Sequence, residues 1–195
     1  MDPLDELIFT VLSQNTNDIN RDRAWSSMKR NFKTWKQVEK APKKALADSI
    51  RVGGLGDIKA GRIKEILREI KALQGKYSLD FLEKLSVDEG RDYLLSLPGV
   101  GPKTAACVLL FALGKAAFPV DTHIFRVGKR IGLIGKKTSY EEAHRVMEKL
   151  VPVKEYYPFH INLITLGRRV CKAGKPMHEV CPVKGECGYY KANKD

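Results

Sequence analysis

Residues Ser96 to Phe111 read SLPGVGPKTAACVLLF, and this stretch constrains the fold more than any other. A proline and two glycines within five residues force a tight turn, because Gly99 and Gly101 reach backbone angles that a Cβ obstructs. The run that follows is almost unbroken in its apolar helical pattern. The segment therefore reads as two helices joined by a short hairpin. The N–H groups of such a hairpin, with the N-terminus of the next helix, form an anion site suited to a DNA phosphate. Leu97, Gly99, Val100 and Gly101 are the candidate contacts. An ordinary helix–turn–helix packing unit accounts for a glycine pair equally well. Pro98, the Gly-x-Gly spacing and the Lys-Thr at the helix start favour the phosphate.

The rest of the chain has the same helical character. Asp2 is the expected N-cap of a first helix, with Pro3 at its first position and Leu4, Leu7, Ile8, Val11 and Leu12 at helical spacing. Asn17 or Asp18 caps INRDRAWSSMKRNF. APKKALADSI and KAGRIKEILREIKALQG follow as helices joined by RVGGLGD. Ser86 with Glu89 makes a capping box, and Gly114 ends PKTAACVLLFALG. Asp121 caps THIFRVGKRIGL, and Thr138 or Ser139 caps YEEAHRVMEKLV. No run alternates with period two, so the expected class is all-α. No segment reaches the ~20 apolar residues of a membrane span, and the N-terminus lacks the order of a secretion signal. An intracellular monomer with reduced cysteines is expected.

Charge narrows the partner. Lys plus Arg outnumber Asp plus Glu by 35 to 23, a net +12 with a pI near 9.5. Such an excess favours a polyanion, since each neutralised phosphate releases counterions. Ribosomal and membrane-surface proteins share that balance.

Lys103 sits in the first turn of the hairpin's second helix. The positive end of the helix dipole and an apolar surround both disfavour the ammonium form, and a neutral amine is a nucleophile. The alternative is a solvated lysine that touches phosphate. Asp121 follows the apolar FPV and caps a helix, which holds its carboxylate ionised. A fixed anion near an amine offsets positive charge developing on a sugar and helps to move protons. Capping alone also explains Asp121.

LPGVGPKTA followed by VDTHIFR resembles the helix-hairpin-helix and aspartate signature of the endonuclease III family of DNA glycosylases. The likeness runs from LIFTVLSQNTND to the C-terminal cysteines. It implies an all-helical, two-lobed fold with a C-terminal metal-cluster loop and a DNA cleft between the lobes. One lobe would span residues 18–115, and the other would combine 1–17 with 116–195. The resemblance makes Lys103 the amine that attacks C1′ of the damaged nucleotide and Asp121 its acidic partner. Relatives with another residue at this lysine excise a base without cutting the strand. Lys103 thus implies a bifunctional enzyme acting on double-stranded DNA with a damaged base, here an oxidised pyrimidine, or an abasic site. A monofunctional mismatch or uracil glycosylase, and a non-catalytic helix-hairpin-helix DNA-binding module, are the alternatives.

A glycosylase flips its target out of the stack and needs side chains to fill the gap. By the same resemblance Gln14 or Asn15 is the polar wedge and Leu55 the apolar one. LSQNTND departs from the commoner LSAQATD, which leaves the register of the polar wedge open. A hydrophobic residue closing a helix–helix turn is the alternative reading of Leu55.

The stretch CKAGKPMHEVCPVKGEC holds three of the four cysteines. The related enzymes carry C-x6-C-x2-C-x5-C around a [4Fe–4S] cluster. This chain puts His178 at the second position, between Cys171 and the Cys181–Cys187 pair. Imidazole can replace thiolate on iron, as Rieske centres show. A Cys₃His zinc site, a [3Fe–4S] cluster on the cysteines alone, and no metal are the competing readings. Lys172 and Lys175 lie in the loop so clamped, where they contact phosphates or are simply solvated. Cys107 reads as core, and His123 and Arg126 as supports of the fold or of a phosphate.

Overall fold

The computed structural model describes residues 1–193, and every regular element among them is helical. Backbone packing divides the chain into two units, Met1–Gly114 and Lys115–Asp195.

The first unit holds α1 (Pro3–Leu12), α2 (Asp18–Asn31), α3 (Trp35–Lys40), α4 (Lys43–Ile50), α5 (Gly56–Gln74), α6 (Val87–Ser96) and α7 (Pro102–Cys107). Asp2 caps α1 by accepting from the N–H groups of Leu4 and Asp5. Leu4, Leu7, Ile8, Val11 and Leu12 are fully buried, as their spacing predicts. Of the two cap candidates for α2, Asn17 is the one used: it accepts from Asn20 N at 2.9 Å. The longest helix, α5, sends Ala60, Ile63, Ile66, Leu67 and Ile70 into the same core. It packs on α4, α3 and α1. Gly90 on α6 lets Leu109 approach to 3.1 Å of where a Cβ would stand, which seats the two hairpin helices together. Beyond Cys107 the chain continues as a π-helical turn, Val108–Ala112, and Gly114 (φ 62°) stops it. Cys107 is core, 2% exposed.

Residues 1–17 pack within the first unit. From sequence they belong with the cluster-bearing lobe. In the structure the apolar face of α1 is spent on α2, α5 and α7, so they belong to Met1–Gly114.

The second unit holds α8 (Thr122–Ile131), α9 (Tyr140–Leu150), α10 (Tyr156–Arg169) and α11 (Gly188–Ala192). Ser139, not Thr138, caps α9, in a capping box with Glu142. Phe118 is fully buried and meets Tyr156 edge-on at 5.4 Å. Gly167 permits the close crossing of α10 on α8, because His123 Cβ lies only 2.9 Å from where its Cβ would be. No described helix is long and apolar enough to cross a membrane.

Candidate functional site

The hairpin forms as its composition predicts, though its residues divide the work unevenly. Val100 N–H donates to Leu97 O at 3.2 Å and closes the turn. Gly99 takes φ 70°, the left-handed region that favours glycine. Gly101 does not: it is extended at φ −104° and serves as N-cap of α7. The side chains of Leu97 and Val100 are buried, at 2% and 7% exposure, so they brace the turn from within. What faces outward at the tip is the exposed Gly99. Beside it lies a residue that sequence reasoning missed. A Cβ on Gly99 would stand 2.1 Å from Arg62 Nε, so the glycine makes room for that guanidinium.

Lys103, in the first turn of α7, is half-buried. Glu6 on α1 is 7% exposed, and burial holds its carboxyl above the usual carboxylate range. The Thr10 hydroxyl, donating at 3.0 Å, and the charge of Lys103 pull it partly back. Glu6 and Thr10 were also missed. Their signal was a carboxylate and a hydroxyl four residues apart within an otherwise apolar stripe.

Two loops of the first unit carry the wedge candidates. Asn15 (φ 51°) and Leu55 (φ 53°) are the only non-glycine residues with positive φ among those described. A side chain in that region costs roughly 1–2 kcal/mol, so the surrounding structure must impose it. Both residues are exposed, Leu55 by 47%. Gln14 is half-buried and accepts from Arg62 Nη1 at 2.9 Å. Leu55 also precedes α5 directly as its N-cap residue, so the turn-closing reading and the outward presentation hold together.

In the second unit, Asp121 is pinned by the residues before it. Phe118 N–H donates to Glu148 Oε1 at 3.1 Å, Pro119 O lies 2.9 Å from His160 Nδ1, and Val120 O accepts from Tyr140 at 2.6 Å. Side chains of α9 and α10 thus satisfy three successive backbone groups of an apolar segment that has no ladder partner. Asp121 then caps α8, its Oδ1 accepting from Ile124 N at 2.7 Å.

The far half of α8 serves the cysteine loop. Arg126 donates to Gly167 O at 2.9 Å and to Cys171 O at 3.0 Å, and its Nη2 lies 3.2 Å from His123 Nδ1. This is the fold-supporting role expected of that pair. Arg130 donates to Lys172 O and Ala173 O, at 2.6 and 2.8 Å, and to Cys171 Sγ at 3.4 Å. Cys171, His178, Cys181 and Cys187 line one cavity of about 20 Å³, closed by Val127, Leu166 and Tyr189. None of the three cysteines is in a disulfide. Among the described residues no three His, Cys, Asp or Glu side chains are drawn into a metal-holding group. The donor set itself fits a thiophilic metal: three sulfurs and an imidazole around a common apolar space, one sulfur already receiving an arginine N–H. Lys172 and Lys175 are exposed, and Lys172 Nζ donates to Arg168 O at 2.6 Å.

Comparison with known proteins extends these findings. The model of the HhH-GPD superfamily of base excision DNA repair proteins matches residues 8–153. An Arabidopsis thaliana protein named as a DNA glycosylase is 37% identical over 191 residues, 93% of this chain and 65% of that protein. Endonuclease III of Thermotoga maritima is 37% identical over 190 residues, 97% of this chain and 84% of that enzyme. The solved structure of a trapped endonuclease III–DNA covalent intermediate superposes with a TM-score of 0.83 at 31% identity, over 98% of this chain and 86% of that one.

Proposed function

The chain belongs to the HhH-GPD superfamily of base excision DNA repair proteins, and on that premise we propose that it is a bifunctional DNA glycosylase and AP lyase with Lys103 as its nucleophile. The observation that carries the proposal is a primary amine in the first turn of the helix after a Gly99-centred hairpin. The similarity to an endonuclease III captured covalently on DNA supports it.

In this reading double-stranded DNA with an oxidised pyrimidine or an abasic site is the substrate. Gly99 and Arg62 meet its backbone, while Gln14 or Asn15 and Leu55 fill the gap left by the extruded nucleotide. Lys103 Nζ attacks C1′, the glycosidic bond breaks, and the base leaves with that electron pair and a proton. Loss of the amine proton and opening of the C1′–O4′ bond then yield the Schiff base. Removal of a C2′ proton and departure of the 3′ phosphate complete the β-elimination. Asp121 is the proposed carboxylate that offsets positive charge and moves protons. Glu6, buried on α1, the helix that packs against α7, is a carboxyl that feels the charge of Lys103.

Cys171, His178, Cys181 and Cys187 are the proposed ligands of a metal, a [4Fe–4S] cluster in the first instance and zinc or [3Fe–4S] otherwise. Such a group would clamp the loop that carries Lys172 and Lys175 and would supply no step of the reaction. An intracellular monomer is part of the same proposal.

Borohydride trapping on a panel of damaged duplexes tests the function, with wild type beside Lys103→Ala. A covalent adduct lost in the variant is the expected result. An adduct that persists in Lys103→Ala removes the assignment. Base release without strand cleavage would instead mark a monofunctional glycosylase, and binding without excision a DNA-binding module.

A further inference from the structure

Lys59 is among the largest fully buried side chains of the protein, 2% exposed. A buried ammonium is costly unless its donors are satisfied, and burial pushes its pKa down. Lys59 Nζ donates to Leu12 O and to Gly53 O, both at 2.8 Å. The position of these two carbonyls is informative. Leu12 is the last residue of α1 and Gly53 the last of the short helical turn Arg51–Gly53. Each therefore stands at the root of one of the two exposed loops. Asn15, three residues after Leu12, and Leu55, two residues after Gly53, are the two left-handed non-glycine residues.

The surroundings leave little slack. A Cβ on Gly53 would approach Ala24 Cβ to 3.1 Å and Lys59 Nζ to 3.9 Å. Gly54 is close enough to the other loop that its Cβ would lie 3.9 Å from Asn15 O. Nearby on the same helix, Arg62 ties Gln14 at 2.9 Å. Apolar packing alone could hold α1 near the Arg51–Gly53 turn. What an ammonium adds is two directed bonds to two specific carbonyls, which sets the separation and orientation of the loops that leave them.

We infer that Lys59 is a positioning residue for nucleotide extrusion, bolting the two wedge loops together so that they enter the duplex as one preorganised unit. This rests on the proposed reading of those loops as gap fillers. It leaves Lys59 away from the reacting atoms and assigns it to the flipping step, where small misplacements are amplified into large rate losses.

The test compares a substrate that needs extrusion with one that does not: a duplex with one oxidised pyrimidine, and a single-stranded oligonucleotide with a preformed abasic site. Lys59→Met keeps most of the side chain's length and loses both hydrogen bonds. Its single-turnover excision from the duplex is expected to fall about tenfold or more. Borohydride trapping on the abasic single strand is expected to stay within about twofold of wild type, because no base has to leave a stack. Gly53→Ala, a milder disturbance of the same carbonyl, should show the same split to a smaller degree and serves where Lys59→Met does not fold. Excision unchanged in the folded variants, or equal loss on both substrates, overturns the positioning role. A wild-type protein inert on both substrates overturns the enzymatic reading itself, and this role with it.

Discussion

Arg62 donates to Gln14 Oε1 at 2.9 Å while its guanidinium occupies the space that a side chain on Gly99 would need. One residue of α5 thus touches both the loop that carries Asn15 and the Gly99 hairpin, within a single packed unit. Four consequences of this and related contacts are measurable.

Gly99→Ala introduces a Cβ at φ 70° and 2.1 Å from Arg62 Nε. The strain of the left-handed region alone is roughly 1–2 kcal/mol, and Arg62 must also move. Urea denaturation is expected to show at least that loss, and DNA affinity should fall with it. Gly101→Ala should be mild in both assays, since Gly101 is extended with nothing within 4 Å of its missing Cβ.

Asp121 separates capping from chemistry. Asn preserves an acceptor for Ile124 N, so Asp121→Asn should unfold within about 0.5 kcal/mol of wild type while its lyase rate collapses. Asp121→Ala should lose about 1 kcal/mol of stability as well. If Asp121→Asn retains full strand cleavage, the residue is a cap and nothing more.

Glu6 predicts a pH-dependent stability difference. Its carboxyl titrates higher in the folded chain than in the unfolded one, chiefly through burial, against the lowering effects of Thr10, Lys103, the amino terminus and Arg21. A raised pKa means that the folded state binds the proton more tightly. The contribution is complete below the unfolded value of 4.5 and is lost as pH rises through the folded value. Glu6→Gln keeps the shape and an acceptor for Thr10. It should therefore be more stable than wild type at neutral pH, with the advantage vanishing near pH 4. Thermal denaturation across that range checks the sign.

For the cysteine loop, metal analysis of the purified protein should find iron with inorganic sulfide, and Cys181→Ser should lose both. Stoichiometric zinc in a colourless protein would replace the iron–sulfur assignment. His178→Ala separates the remaining cases: a cluster on three cysteines survives it, whereas a four-ligand site weakens. The variant's effect on duplex affinity should be larger at low salt if Lys172 and Lys175 meet phosphate.

Local rules carried by the sequence were enough for the helices, their caps and the hairpin. Asp2, Ser86, Asp121 and Ser139 each act on N–H groups two or three residues away, and the positive φ of Gly99 and Gly114 answers a local turn. Order and spacing likewise made Lys103, Asp121 and the Cys/His set the candidates, because the family's motifs are short. What tertiary structure decided are the contacts between segments far apart in the chain. Nothing in LSQNTND or GGLGD announces that Lys59, buried and 47 residues from Leu12, joins their roots. Nor does a helical pattern say which apolar face α1 will find. That Arg62 fills the glycine gap at the hairpin follows from close packing of distant surfaces, and a linear pattern does not encode which surfaces those are.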